Sequence, residues 1–306
     1  MARNSARLAL ASTVVLAVMA LGAGYLLRDP LPHFLERRSA LARVEEGEVT
    51  VEEGYRLQPV RIVASSGLAV DMMLKRAVAD SGRRLPLVVV LGGHHTGLRA
   101  ARLLPDTRGT VVAALSYPFT GDPRPDAATF LREIPKIRQA FLDTPPALML
   151  ALDYLMRSPD VDTTRVEAVG VSLGAPFVCI AGALDPRYTR VWAVHGSGGS
   201  YRPLEMNMRR TIRLAPVRAV AAAIANVIIA GPRLDPARWV GRIAPRPFMM
   251  VNAAADERLP RREIDRLFAS AREPKEFVSM PGGHVRSNAA VIGELAAIVL
   301  ARVRAE

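Results

Sequence analysis

The sequence contains very little cysteine and very little lysine. Its 306 residues include one cysteine, Cys179, so no disulfide can form within the chain and no cluster of thiolates can bind a metal. Cys179 lies in an apolar stretch, where a lone thiol is best explained as a small buried side chain. Lysine occurs only at Lys75, Lys136 and Lys275, and arginine supplies most of the formal net charge of +12 at pH 7.

This positive charge is scattered along the chain. Nucleic-acid binding typically uses a dense basic run with aromatic residues among it. Aromatic residues make up only 5% of this sequence, and it contains no such run. We therefore expect no nucleic-acid partner. Internal repeats and low-complexity segments are also lacking, and 50% of the residues are hydrophobic. Length and composition together predict one sizeable α/β domain with a terminal extension.

Residues 1–28 predict a membrane segment. An uncharged run over residues 8–27 follows Arg3 and Arg7 and has about the length of one membrane-spanning helix. We favour an uncleaved anchor, and a signal peptide is the alternative, since small residues that suit cleavage occur near the end of the run. Arg3, Arg7 and the amino terminus favour a cytoplasmic N terminus, which places the domain that follows in the periplasm or outside the cell. Cleavage would make the protein secreted.

The remaining sequence predicts a linker over residues 29–54 and a single α/β domain over residues 55–306. Stretches at 60–65 and 69–75 flank a Ser-Gly turn and predict a β-hairpin. Later apolar runs, separated by helical patterns, predict strands buried on both faces; they lie at residues 86–91, 111–116, 165–171, 191–194, 247–251 and 276–280. This alternation predicts a doubly wound, mostly parallel sheet.

Residues 200–240 are an insertion that the strand and helix alternation does not require. An apolar run over residues 219–230, interrupted by Asn226, is too short to cross a membrane. One interpretation is a lid or acyl-binding helix over an active site. The other is an additional core helix on the sheet, and the pattern favours neither.

The sequence G-V-S-L-G at residues 170–174 joins a predicted strand to a predicted helix. This is the pattern of a nucleophile elbow, in which the serine lies on a strained strand-to-helix turn. The two glycines avoid the collisions that side chains would make with the neighbouring strand and helix. The pattern predicts Ser172 as a nucleophile.

A nucleophilic serine needs an imidazole that accepts its proton. Of the five histidines, only His195 and His284 follow Ser172 in the chain, and hydrolases of this kind run in the order serine, acid, histidine. His195 directly follows a predicted strand and leaves no room for an acid before it. We therefore predict His284, in the glycine-rich loop after the last strand, as the base.

The imidazole in turn needs a carboxylate that fixes its tautomer. Asp256 is the first carboxylate after the strand at 247–251 and is the predicted acid, with the adjacent Glu257 as the fallback. The carboxyl ends of the parallel strands meet at one edge of the sheet. We expect Ser172, Asp256 and His284 to meet there.

An oxyanion that develops during acyl transfer needs two N–H donors. The residue after the nucleophile, Leu173, supplies one, and the loop after the strand at 86–91 supplies the other, from His94 or, as second choice, Gly93. His95 and Tyr117 are candidate pocket residues. The sequence has neither the spacing nor the acidic cluster of a histidine metal site, so we expect no metal and no cofactor.

In number, order and spacing these motifs resemble those of the α/β-hydrolase superfamily over residues 55–302. The segment at residues 243–248, followed by Asp256, is similar to the dienelactone hydrolase and prolyl-oligopeptidase-like branch, whose compact domains often hydrolyse small esters or peptides. Dienelactone hydrolases use a cysteine nucleophile, whereas this chain has Ser172.

The resemblance implies acyl transfer in two steps. His284 would deprotonate Ser172, the oxyanion donors would hold the tetrahedral intermediate, and water would release the acyl group of a small-molecule substrate. This predicts a carboxylesterase-like serine hydrolase. An acyltransferase with the same triad and a membrane-anchored binding module without catalysis are the alternatives, and the sequence predicts neither the substrate nor the oligomeric state.

Overall fold

A computed structural model describes residues 22, 24, 28–93, 96–122, 126–285 and 289–305. The apolar runs become strands of one ten-stranded sheet. These strands are β1 (Leu41–Glu46), β2 (Thr50–Glu52), β3 (Tyr55–Ala64), β4 (Ala69–Ala77), β5 (Leu85–Leu91), β6 (Val111–Leu115), β7 (Val161–Val171), β8 (Arg190–Val194), β9 (Phe248–Ala253) and β10 (Lys275–Met280).

Eight α-helices lie among the described residues. They are α1 (Leu31–Arg38), α2 (Ala100–Leu103), α3 (Ala127–Leu155), α4 (Ala175–Leu184), α5 (Tyr201–Met208), α6 (Ala215–Ile228), α7 (Arg261–Ser270) and α8 (Ala289–Ala305). Helices separate most of the parallel strands, as the alternating sequence pattern predicts.

The sheet has the predicted doubly wound, mixed topology. The strand order is β1-β3-β4-β6-β5-β7-β8-β9-β10, and β2 pairs with β3. From β6 to β10 all neighbours are parallel, and the pairs that involve β1 to β4 are antiparallel. The predicted hairpin is confirmed, since β3 and β4 pair around the Ser-Gly turn.

Side chains on the two sides of the sheet pack into two cores. On β5, Val89 and its neighbours in the alternation point to one core, and Val88 and Val90 point to the other, as the two-residue period of a strand requires. Helices α1, α3, α4 and α7 contribute to the first core. Helices α2 and α8 contribute to the second.

The segment expected to be a linker, residues 29–54, is folded and extends the sheet. Helix α1 buries Phe34 completely, and Arg37 binds both carboxylate oxygens of Asp143 on α3, at 3.0 and 2.7 Å. Strands β1 and β2 then pair with β3. The charged, proline-containing composition predicted a linker because the segment contributes few apolar side chains, and its order comes from these tertiary contacts.

Residues 1–21, 23 and 25–27 lie outside the described part of the chain, and with them nearly all of the predicted membrane segment. Among the residues that are described, no helix is long and apolar enough to cross a membrane. The anchor and the signal peptide therefore stay predictions.

The sequence has a helical pattern over residues 145–158, and helix α3 is longer than this pattern predicts. It begins at Ala127 and contains three prolines, Pro135, Pro145 and Pro146. Its start is fixed by Asp126, whose carboxylate accepts a hydrogen bond from the Thr129 amide at 2.7 Å, as in a helix N-cap. The sequence pattern placed the start too late because proline is most often found in the first turn of a helix.

The predicted insertion, residues 200–240, contains α5, α6 and a short 3₁₀ turn at Pro236–Arg238. Ala222 is the one residue of α6 that is buried, while Val217, Val220 and Ile224 are more than half exposed. Helix α6 therefore does not pack as a core helix on the sheet. Other residues of the insertion contribute to a cavity beside Ser172, described below.

Candidate active site

Ser172 lies at the turn between β7 and α4, on a strained backbone. Its φ is 54°, a left-handed conformation that is uncommon for a residue with a side chain. A Cβ on Gly170 would approach the Gly174 carbonyl oxygen to 2.6 Å, and a Cβ on Gly174 would overlap the Leu91 carbonyl. Both glycines are therefore required by the close approach of β7, α4 and β5, which is the geometry of a nucleophile elbow.

The structure brings Ser172, His284 and Asp256 together at the carboxyl edge of the parallel strands. His284 Nε2 lies 2.8 Å from Ser172 Oγ, and His284 Nδ1 lies 2.8 Å from Asp256 Oδ2. His284 is buried. Because an ionised carboxylate can only accept hydrogen bonds, Nδ1 carries the proton and Nε2 is free to accept the proton of the serine.

Asp256 is held by four hydrogen bonds. Its Oδ1 accepts from the backbone amides of Arg258 at 2.9 Å and Leu259 at 3.0 Å, and its Oδ2 accepts from two histidines. Burial favours the neutral acid and raises the pKa of Asp256, but the hydrogen bonds from His195, His284 and the Arg258 amide outweigh it, so the pKa lies below its ordinary value. The carboxylate is therefore ionised at neutral pH and able to orient His284.

His195 is a fourth member of this group that the sequence analysis did not assign. Its Nδ1 lies 3.0 Å from Asp256 Oδ2, the same oxygen that His284 contacts, and its ring centroid lies 4.8 Å from that of His284. His195 follows β8, next to β9, and its backbone amide donates to the Val251 carbonyl at 2.7 Å. Chain order argued against His195 as the base, but its place after β8 is a signal that it lies near the acid after β9.

Glu257, the fallback acid, has a different position. Its Oε2 accepts a hydrogen bond from the backbone amide of His284 at 2.8 Å, and a Cβ on Gly283 would approach the same oxygen to 2.7 Å. Glu257 therefore contacts the backbone of the loop that carries His284, while Asp256 contacts the imidazole.

The expected oxyanion donors lie beside Ser172 where they are described. Leu173 is the central residue of the short 3₁₀ turn over Ser172–Gly174. A Cβ on Gly93 would lie 3.7 Å from Ser172 Cβ, so the backbone after β5 passes close to the serine. His94 and His95 are outside the described residues, and their assignments as donor and pocket residue stay predictions.

Tyr117 contacts the start of the loop that follows β5. Its hydroxyl donates to the Gly92 carbonyl at 2.7 Å, and its ring packs edge-on against Phe177. Burial raises the pKa of Tyr117 well above its ordinary value, so the phenol stays protonated. Tyr117 is not among the described residues that line the two cavities beside Ser172, in contrast to its expected place in a pocket.

No family profile matches the chain. It is 27% identical over 144 residues to "Uncharacterized protein YfhR" of Salmonella typhi, and the alignment covers 44% of this chain and 44% of the relative. The chain thus spans less than half the length of this curated relative.

Solved structures cover nearly all of the chain. Acetyl xylan esterase 1 from a Thermoanaerobacterium species superimposes with a TM-score of 0.63 at 16% identity, over 90% of this chain and 92% of that one. The acetyl xylan esterase from a Paenibacillus species superimposes with a TM-score of 0.60 at 17% identity, over 88% of this chain and 90% of that one. Alpha/beta hydrolase GrgF from a Penicillium species superimposes with a TM-score of 0.54 at 17% identity, over 87% of this chain and all of that one.

The chain has the α/β-hydrolase fold. At these identities the likeness concerns the fold alone, so the dienelactone hydrolase and prolyl-oligopeptidase-like branch stays a prediction. In this chain, β3 to β10 supply the sheet, and β1 and β2 extend its antiparallel edge.

His195, Asp256 and His284 could also be read as metal ligands. Their nitrogen and oxygen atoms lie within 4.8 Å of one another. However, both Nδ1 atoms point to one carboxylate oxygen at hydrogen-bonding distances of 3.0 and 2.8 Å. Zinc is bound at about 2.0–2.2 Å by nitrogen and oxygen ligands arranged around the ion. The arrangement therefore suits proton transfer, and the expectation of no metal and no cofactor stays a prediction.

Two cavities meet at Ser172 and Leu173. The larger has a volume of about 440 Å³ and lies between the sheet and helices α2 and α8. The smaller has a volume of about 260 Å³ and lies toward the insertion, where Leu204, Ile229 and Leu234 line it. Residues of the insertion thus cover the smaller cavity, and their role as a lid stays a prediction.

Proposed function

We propose that the protein is a serine hydrolase that cleaves carboxylic esters through an acyl-enzyme intermediate. The observation that carries this proposal is the chain of hydrogen bonds from Ser172 Oγ to His284 and from His284 to Asp256. A serine hydroxyl becomes an effective nucleophile only when a positioned base accepts its proton. The strained turn that presents Ser172, with a φ of 54°, further supports this role.

In the first step, Ser172 Oγ attacks the ester carbonyl carbon while His284 Nε2 takes the hydroxyl proton. The amide of Leu173 and an amide of the loop at Gly93 and His94 stabilise the negative oxygen that forms. His284 then gives its proton to the leaving alcohol as the carbon–oxygen bond breaks. In the second step, His284 takes a proton from water, whose oxygen attacks the acyl carbon. His284 then returns this proton to Ser172 Oγ as the carbon–oxygen bond to the serine breaks, which releases the acid and free Ser172.

Two structural neighbours are acetyl xylan esterases, which supports ester chemistry as the reaction to test first. We propose no particular substrate on that ground, because a fold hosts many activities.

The membrane segment over residues 1–28 is a separate proposal. It predicts that the full chain partitions into membranes and resists extraction at high salt, whereas a chain that begins at residue 29 does not.

Hydrolysis of p-nitrophenyl acetate tests the proposed function. We expect the wild type to hydrolyse it and Ser172→Ala to show no rate above background. Ser81→Ala is a matched control, since Ser81 is an exposed serine before the N-terminal end of β5, the opposite end from Ser172. A Ser172→Ala variant as active as the control would overturn the proposal.

A further inference from the structure

The larger cavity at Ser172 is elongated and enters the interior of the domain. Along α8 its lining runs from Ile292 to Leu300, a distance of about 12 Å at 1.5 Å per helical residue. Along β5 it runs from Gly92 back to Val88, a similar distance of about 13 Å at 3.3 Å per residue. Ser172 and His284 lie at the Gly92 end of this space.

The cavity exists because helices cover this side of the sheet incompletely. Helix α2 has only four residues, Ala100–Leu103, and α8 contributes Ala296 and Val299 where larger side chains would fill the gap. Val88 on β5 and Val169 on β7 form the floor. Both valines are at most 5% exposed, so the floor of the cavity lies in the interior of the domain.

Almost all side chains along the cavity are hydrocarbon. The polar ones are Thr96 and Arg258 and the two catalytic residues. Protein interiors are close-packed, and apolar space of this size is costly to leave unfilled. A ligand suited to it has a hydrocarbon chain that lies along α8 and a reactive polar group that reaches Ser172.

We propose that the larger cavity binds the hydrocarbon chain of the substrate ester, so that the preferred substrates are esters with a chain of several carbons and not acetyl esters of short alcohols. This inference rests on the proposed function. The chain would lie among Val88, Val169 and Val299, and the second group of the ester would occupy the smaller cavity toward the insertion.

Two series of esters test the proposal and identify which group of the ester enters the cavity. In p-nitrophenyl acetate, butyrate and octanoate the acyl chain grows, and in methyl, butyl and octyl acetate the alcohol chain grows. We expect kcat/KM to rise in one series by about fourfold for each added methylene, which is ~0.8 kcal/mol per buried methylene. A flat or falling profile in both series would overturn the inference.

A cavity-filling variant then tests the location. Ala296→Phe places a ring in the cavity and should abolish the rise of kcat/KM with chain length. Ala297→Phe is the matched control because Ala297 is the next residue of α8 and is exposed; it should follow the wild type. Equal chain-length profiles for Ala296→Phe and Ala297→Phe would overturn the inference.

The enlarging variant Val299→Ala keeps the test decisive if Ala296→Phe does not fold. It should shift the preferred ester to a longer chain, and an unchanged optimum would count against the cavity as the binding site. Failure of this inference differs from failure of the proposed function. Hydrolysis of the shortest esters would still depend on Ser172 in the first case and would not in the second.

Discussion

Replacing His195 by asparagine and by glycine tests whether this histidine positions the carboxylate of Asp256. The φ of His195 is 49°, and asparagine and glycine adopt this left-handed conformation more readily than other residues. Both variants therefore suit the backbone. Only asparagine keeps an N–H donor near the position of Nδ1, from which His195 reaches Asp256 Oδ2 at 3.0 Å.

The expected loss follows from the strength of that hydrogen bond. A hydrogen bond to a charged group contributes roughly 1.5–3 kcal/mol. If the whole of it helps to hold Asp256 in the transition state, His195→Gly should lower kcat/KM by about 10- to 150-fold. His195→Asn should retain most of the activity, since its amide can still donate to Asp256.

Two rates are measured for each variant because His195 also lines the smaller cavity. One is kcat/KM for p-nitrophenyl acetate, and the other is the rate of phosphonylation by a small fluorophosphonate. Both should fall in His195→Gly and recover in His195→Asn, with thermal unfolding followed in parallel. Equal losses in the two variants would assign the effect to the imidazole ring itself, and full activity of His195→Gly would refute the positioning role.

Two further predictions concern buried carboxylates. Asp256→Asn should lower kcat by about 10⁴-fold, because His284 loses the acceptor that fixes its tautomer. Glu257→Gln should lower kcat far less. A larger loss of kcat in Glu257→Gln would identify Glu257 as the acid. Asp143→Asn should lower the free energy of unfolding by about 3 kcal/mol, against less than ~1 kcal/mol for Asp71→Asn, whose partner Arg61 is exposed. Burial raises the pKa of Asp143, but hydrogen bonds from His33, Arg37 and Gln139 outweigh it and hold the pKa below its ordinary value. The difference in free energy of unfolding between wild type and Asp143→Asn should therefore have its full value at neutral pH. It should shrink below about pH 4, where the aspartate of the unfolded chain is protonated first. Denaturant titrations at pH 7 and pH 3 check it, and an equal difference at both pH values would contradict it.

The sheet and the position of Ser172 could be predicted because their signals are local. A strand buried on both faces needs a continuous apolar run, and the elbow needs small residues at Gly170 and Gly174. His284 and Asp256 could be selected because chain order and the common edge of parallel strands restrict the candidates. Each of these inferences uses a short stretch of sequence and a topological rule.

The remaining features depend on contacts between distant parts of the chain. The order of residues 29–54 comes from Phe34 and from the pairing of Arg37 with Asp143, which neither segment predicts alone. His195 binds Asp256 across 61 positions, and chain order addresses only which histidine is the base. The larger cavity is visible only once α8 has been placed over the sheet, because its lining comes from five separate segments.

The central claim is that Ser172 is a nucleophile activated by His284. Its most direct test is reaction of the full chain with a fluorophosphonate, followed by peptide mapping of the adduct by mass spectrometry. We predict one adduct, on Ser172, that forms rapidly in the wild type and at least a hundredfold more slowly in His284→Gln. An adduct on another residue, or equal labelling of the wild type and Ser172→Ala, would contradict the claim.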